Sequence, residues 1–168
     1  MVVLVFGLPG SGKSYFASRL AAQMGAEYIN SDQLRLMMFP VRTYSNEEKQ
    51  AVYEAMLSMA KGRIRQGKNV VIDATFHRHS LRTHFMESLK GESIWFIEVV
   101  ADEETIRKRL SMPREFSEAD YAVYEKIRYD WEPMTEPHLV LDSSEPVEKM
   151  LLQAVRYVSL NSKTGKAS

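Results

Sequence analysis

Eight consecutive residues, Gly7-Leu8-Pro9-Gly10-Ser11-Gly12-Lys13-Ser14, have the types and spacing needed to hold a row of phosphates. They match the pattern G-x-x-x-x-G-K-[ST]. Its glycines let backbone N–H groups converge on phosphate oxygens, and a helix beginning behind them adds favourable partial charge. The Lys13 ammonium can reach the outer phosphates and assist transfer, and the Ser14 hydroxyl can complete the oxygen shell of Mg²⁺. Tyr15 follows at the start of the helix and joins the nucleotide-binding candidates. The expected ligands are therefore ATP and Mg²⁺.

Two aspartates stand where a second half of the chemistry belongs. Asp32 follows the second expected strand and can accept the proton of an acceptor hydroxyl. Arg35, three residues on, shares its helix face and can hold an anionic or hydroxyl-rich acceptor. The same spacing equally suits Ser31 or Asp32 as a plain helix cap. Asp73 ends the run Val70-Val71-Ile72, a position from which a carboxylate holds a Mg²⁺-bound water or orients the acceptor. Farther along, Arg107, Arg109 and Arg114 straddle Ser111-Met112-Pro113. Arg109 and Arg114 are the candidates for neutralising charge on a transferred phosphoryl group, and Arg107 belongs to a solvated helix face. His77, His79 and His84 do not suggest a dedicated metal site, because Mg²⁺ prefers oxygen ligands. Trp131 and the neighbouring tyrosines read as packing.

The elements that must position these groups are legible. Val2 to Phe6 is an unbroken apolar run, the pattern of a strand buried on both faces. Phe16, Ala17, Leu20, Ala21 and Met24 then recur at helical spacing before Gly25. A strand is expected at Glu27 to Asn30, with a helix after it stopped by Pro40. Ser45 and Glu48 form a capping-box pattern that opens a helix ending before Gly67. Further strands are expected at Val70 to Ile72, Ile94 to Val100 and Leu139 to Leu141, with helices after each. Asp102 and Ser117 are the expected caps in the lid region, and Pro146 stands near the start of the last helix.

Five short strands separated by helices imply a three-layer α/β fold, with a five-stranded parallel sheet covered on both faces and a short helical lid. Ligands on such sheets bind beyond the carboxyl ends of the strands. A single domain over residues 1–160, a lid around 107–118 and a flexible tail over 161–168 are expected.

Composition narrows the function. The 168 residues carry 22 basic and 22 acidic side chains and no cysteine, which removes thiolate chemistry and any whole-molecule attraction to nucleic acid. Nucleic acid remains conceivable only as a substrate end. The apolar opening is too short for a signal segment or a membrane span, so a cytoplasmic location is expected, and no protein partner is inferred. A GTPase switch lacks its guanine-specifying motif, and a motor ATPase lacks paired acids, because Ala74 follows Asp73.

Through Gly7 to Ser14, Asn30-Ser31-Asp32 with Arg35, Val71-Ile72-Asp73-Ala74-Thr75-Phe76 and Ile106 to Arg114, the chain resembles the P-loop kinase superfamily. The branch is the one holding the kinase domain of phage polynucleotide kinase, the zeta toxins and small predicted kinases. This resemblance implies an ATP-dependent phosphotransferase with Asp32 as general base and Arg35 on a phosphate of the acceptor. It also implies Asp73 and Thr75 as acceptor contacts, and Arg78 and Arg82 as contacts of either the acceptor or helix caps. Similarity to adenylate kinases implies that Arg109 and Arg114 divide adenine and phosphate duties. By the same similarity, adenine lies between the lid base and Asp142 to Glu145. The alternative is a nucleotide-binding or NTP-hydrolysing module with no phosphorylated acceptor.

Overall fold

The computed structural model describes the backbone of residues 1–113 and 118–164, and side chains through residue 160. Arg114 and Ser117, singled out above, lie outside the described residues. The strands are β1 (Val2–Phe6), β2 (Glu27–Asn30), β3 (Val70–Asp73), β4 (Ile94–Val100) and β5 (Leu139–Asp142). They form one parallel sheet in the order β2-β3-β1-β4-β5, with Val2 opposite both Val70 and Ile94. The all-apolar β1 is thus the central strand, as a run with no polar face requires.

Alternation along β1 divides the core. Val2, Leu4 and Phe6 pack with Val52 and Met56 of α3 (Asn46–Arg65) and Phe85 of α4 (His79–Ser88). Val3 and Val5 face the other way, onto Phe16 and Leu20 of α1 (Lys13–Met24) and Met150 and Ala154 of α7 (Val147–Thr164). Two helical layers therefore clamp a sheet buried on both faces, the expected arrangement. α7 reaches Thr164, so the first residues of the expected tail are helical.

A smaller cluster of Ile106, Leu110 and Tyr124 joins α5 (Glu103–Leu110) to α6 (Tyr121–Tyr129) and packs against Leu8. The base of the expected lid thereby rests on the phosphate loop. Asp102 caps α5 through the Thr105 amide at 2.8 Å. α6 begins at Tyr121 with Asp120 as its cap, accepting from the Val123 amide at 2.9 Å. Trp131 falls beyond that helix and stacks on Phe6, ring centroids 6.2 Å apart, in keeping with a packing role.

Candidate active site

The loop from Gly7 to Gly12 links the carboxyl end of β1 to α1, and its backbone explains its glycines. Gly7 has φ 154°, and a Cβ there would stand 2.3 Å from the Val99 carbonyl oxygen of β4. Gly12 has φ 93° and is the N-cap of α1, with no side chain occupying the first-turn amides and no acidic residue in that turn. The amides are left free for an anion. Lys13 and Ser14 occupy that turn, and Tyr15 is 57% exposed beside them, with the Arg19 guanidinium 3.4 Å from its ring centroid.

A cleft of about 980 Å³ opens over this turn, lined by Lys13, Ser14, Tyr15, Asp32, Arg109 and Ser143 among others. It is as large as ligand pockets commonly are. Asp32 sits half-buried in the first turn of α2 (Ser31–Met38). It does not cap that helix, and neither does Ser31. The cap is Asn30, whose Oδ1 accepts from the Gln33 amide at 2.8 Å. The Asp32 carboxylate consequently makes no hydrogen bond or ion pair among the described residues.

Asp73 ends β3 with 0% exposure. Its Oδ2 accepts from Asn30 Nδ2 at 2.6 Å and from the Tyr28 hydroxyl at 2.7 Å. Asn30 Nδ2 also lies 3.5 Å from Ser14 Oγ. The second carboxylate oxygen, Oδ1, is buried without a partner among the described residues. Burial pushes the Asp73 carboxyl above its ordinary range, against the opposing pull of Lys13, Ser14, Tyr28 and Asn30. Burial and the neighbouring carboxylate likewise push the Tyr28 phenol up. An orphaned carboxylate oxygen and a serine hydroxyl linked through Asn30 are hard oxygen donors, so Ser14 and Asp73 are the residues that would hold Mg²⁺ here. Tyr28 was missed from the sequence. Its signal was position, since Tyr28 and Asn30 are two residues apart on one face of β2.

Arg109 bridges the two lips of the cleft. Its Nη1 donates to the carbonyls of Gly10 at 3.2 Å and Ser11 at 3.1 Å and to Ser143 Oγ at 2.8 Å. Ser143 lies in the connection after β5, the segment expected to border adenine.

Other expected contacts are used elsewhere in the fold. Arg35 is buried and pairs with Glu48 at 2.8 Å, tying α2 to α3. Glu48 also accepts from the amides of Thr43 and Tyr44 at 2.7 and 3.1 Å. The capping box is therefore half-formed: Ser45 Oγ accepts from the Glu48 amide at 3.1 Å, but the Glu48 side chain turns to Arg35. Arg82 has 0% exposure and donates to the carbonyls of Phe76 at 2.7 Å, Glu132 at 2.8 Å and Pro133 at 3.3 Å. Fully buried and bonded to three carbonyls, Arg82 serves as a brace between the β3–α4 connection and the segment after α6, and it presents no surface to an acceptor. It steadies Phe76, which holds φ 46° and whose amide donates to the Tyr53 hydroxyl at 3.2 Å. Thr75 is half-buried beside that turn, and exposed Arg78 stands 3.9 Å from Asp130. Arg107 pairs with Glu103 and the Tyr121 hydroxyl on the surface. Among the described residues no group of three or more His, Cys, Asp or Glu side chains is arranged to hold a metal, and no helix is long and apolar enough to cross a membrane.

The comparison with curated proteins gave no match. Solved structures share the fold. A sugar kinase from Janibacter sp. HTCC2649 is 21% identical, with a TM-score of 0.76 over 94% of both chains. A gluconokinase from Sinorhizobium meliloti 1021 is 18% identical, with a TM-score of 0.76 over 98% of this chain and 97% of that one. The Mycobacterium tuberculosis APS kinase in complex with AMPPNP and APS is 15% identical, with a TM-score of 0.72 over 94% of this chain and 96% of that one. This chain shares the α/β architecture of these structures, a five-stranded parallel sheet between helices. A family model described as AAA domain matches residues 2–133, most of the chain, and the protein belongs to that family of phosphate-loop domains.

Proposed function

We propose that the protein is an ATP-dependent phosphotransferase that moves the γ-phosphoryl group of ATP·Mg²⁺ to a hydroxyl of a small-molecule, nucleotide or polynucleotide acceptor. The observation that carries this reading is the unpaired Asp32 carboxylate in the same cleft as Lys13 and Ser14. Because Asn30 caps α2, that carboxylate is free to accept the proton of an acceptor hydroxyl.

The first-turn amides of α1 and the Lys13 ammonium hold the phosphates and neutralise their charge. Ser14 and Asp73 would hold Mg²⁺, whose charge would add to the neutralisation of the phosphate oxygens. The acceptor oxygen forms its bond to the γ-phosphorus as the bond to the bridging oxygen breaks, and ADP leaves. The acceptor proton passes to Asp32. Arg109, fixed between the phosphate loop and Ser143, borders the nucleotide, and Arg114 is the proposed partner of the transferred group from a lid around 107–118. Closing that lid would keep water from competing with the acceptor.

Incubation with γ-labelled ATP and a pooled panel of metabolites and oligonucleotides, with labelled products identified by mass, tests the reading. A labelled acceptor that disappears with Lys13→Ala is expected. Label released only as inorganic phosphate across the whole panel would favour the hydrolytic alternative.

A further inference from the structure

Tyr28 lines the cleft together with Ser14 and Asn30. β2 pairs with β3 so that Tyr28 stands opposite Val71 and Asn30 opposite Asp73. Side chains two apart on a strand share a face, and this face is the one that α1 covers: Val71 and the half-buried Tyr28 pack with Phe16, Ala17 and Ala21. The core therefore anchors the Tyr28 ring and leaves its hydroxyl as the polar end. Asn30 Nδ2 lies 3.1 Å from that hydroxyl and 3.5 Å from Ser14 Oγ, which sets the group close to the first turn of α1.

Hydrogen-bond capacity decides what Asp73 can offer a ligand. An ionised carboxylate has two oxygens with about four lone-pair sites between them. Oδ2 accepts from Asn30 Nδ2 at 2.6 Å and from the Tyr28 hydroxyl at 2.7 Å, so both of its sites are filled. Oδ1 belongs to a residue with 0% exposure and has no partner among the described residues. The carboxylate is thus divided, one oxygen committed to the fold and the other left for a ligand. Asn30 has a second duty, because its Oδ1 caps α2. The Tyr28 hydroxyl caps no helix, so its loss acts on Asp73 without unsettling α2.

Cations differ in how they use such a group. Ca²⁺ takes about six to eight oxygens, often both oxygens of one carboxylate, whereas Mg²⁺ holds to an octahedron and keeps several waters. A carboxylate with one oxygen to offer suits Mg²⁺ and denies Ca²⁺ a two-oxygen grip.

We infer that Tyr28 is a positioning residue that sets the metal preference of the nucleotide complex: by holding Oδ2 it confines Asp73 to a single ligand oxygen, and the site favours Mg²⁺ over Ca²⁺. The inference rests on the nucleotide and metal sites of the phosphotransfer reading, and it assigns their selectivity to a side chain outside the phosphate loop.

Isothermal titration of ADP into the protein, once in excess Mg²⁺ and once in excess Ca²⁺, tests this with no acceptor present. The wild type should bind ADP roughly tenfold more tightly with Mg²⁺. Tyr28→Phe keeps the ring in the core and removes only the hydroxyl. It should narrow that ratio to roughly threefold or less, chiefly through tighter binding with Ca²⁺. A hydroxyl that merely satisfies a buried carboxylate would, on removal, lower stability to urea and leave the ratio unchanged, and that result overturns the inference. A wild type with no preference between the two metals overturns it as well. Asn30→Ser keeps a capping side chain and removes the other Oδ2 donor, so it should also narrow the ratio, and it decides the matter if Tyr28→Phe does not fold. Transfer from labelled ATP is measured separately, in Mg²⁺. A narrowed ratio in a protein that labels no acceptor upholds the role of Tyr28 and removes the kinase reading. Labelled acceptor with an unchanged ratio removes the role of Tyr28 and leaves phosphotransfer standing.

Discussion

Asn30 holds Asp73 with one end of its amide and α2 with the other: Nδ2 donates to Asp73 Oδ2 at 2.6 Å, and Oδ1 accepts from the Gln33 amide at 2.8 Å. One side chain thereby sets the orientation of the carboxylate under the phosphate loop and releases Asp32 from capping. Asn30→Ala is expected to cost about 2 kcal/mol, from the lost cap and the poorer satisfaction of a buried carboxylate. Urea denaturation measures this loss. Asn30→Asp should restore the cap but place a second carboxylate against Asp73, and activity should stay low.

Asp32→Asn should leave ATP affinity within about twofold and lower kcat by roughly 10²- to 10⁴-fold, the usual range for a general base. Isothermal titration with a nonhydrolysable ATP analogue, beside turnover on an identified acceptor, distinguishes the two effects. Unchanged turnover would remove Asp32 from the base role.

Arg82 and Arg78 should separate cleanly. Arg82→Ala strands the carbonyls of Phe76, Glu132 and Pro133 and leaves a cavity, at an expected cost of about 3 kcal/mol in thermal or chemical unfolding. Arg78→Ala, at an exposed position with a weak ion pair, should cost less than about 0.5 kcal/mol and act instead on acceptor KM.

Arg109→Ala removes the tie between the phosphate loop and Ser143, and ATP affinity should fall roughly tenfold, about 1.4 kcal/mol. Ser143→Ala keeps the two loop carbonyl bonds and should show a smaller loss by the same titration.

Glu48 gives stability a pH dependence. Burial would raise its carboxyl, but Arg35 and the Thr43 and Tyr44 donors outweigh burial and hold it at about 2. A carboxyl depressed in the folded state stabilises above its ordinary value of 4.5, and that contribution fades as pH falls toward about 2. The stability gap between wild type and Glu48→Gln should therefore be full at pH 6 and shrink as pH falls below 4.5. A gap independent of pH would show that Glu48 acts through shape alone.

The phosphate loop, the central placement of β1, the parallel sheet and nearly all helix positions were legible in the residues, because each is written locally. Buried strands need unbroken apolar runs, amphipathic helices need a 3.6-residue period, and glycine marks backbone that other residues avoid. The partners of polar side chains are not local. Asp32 and Asn30 are both good caps by type, and only the fold, by bringing Asp73 beside β2, decided which of them was used. Arg35 and Arg82 looked like ligand contacts for the same reason that they serve as braces: a guanidinium satisfies whatever carboxylate or carbonyls surround it. Glu48 lies 13 residues from Arg35 and Glu132 lies 50 from Arg82, so their meeting depended on how the layers packed. A sequence names the groups able to do chemistry, but burial and proximity across the sheet determine which remain free to do it.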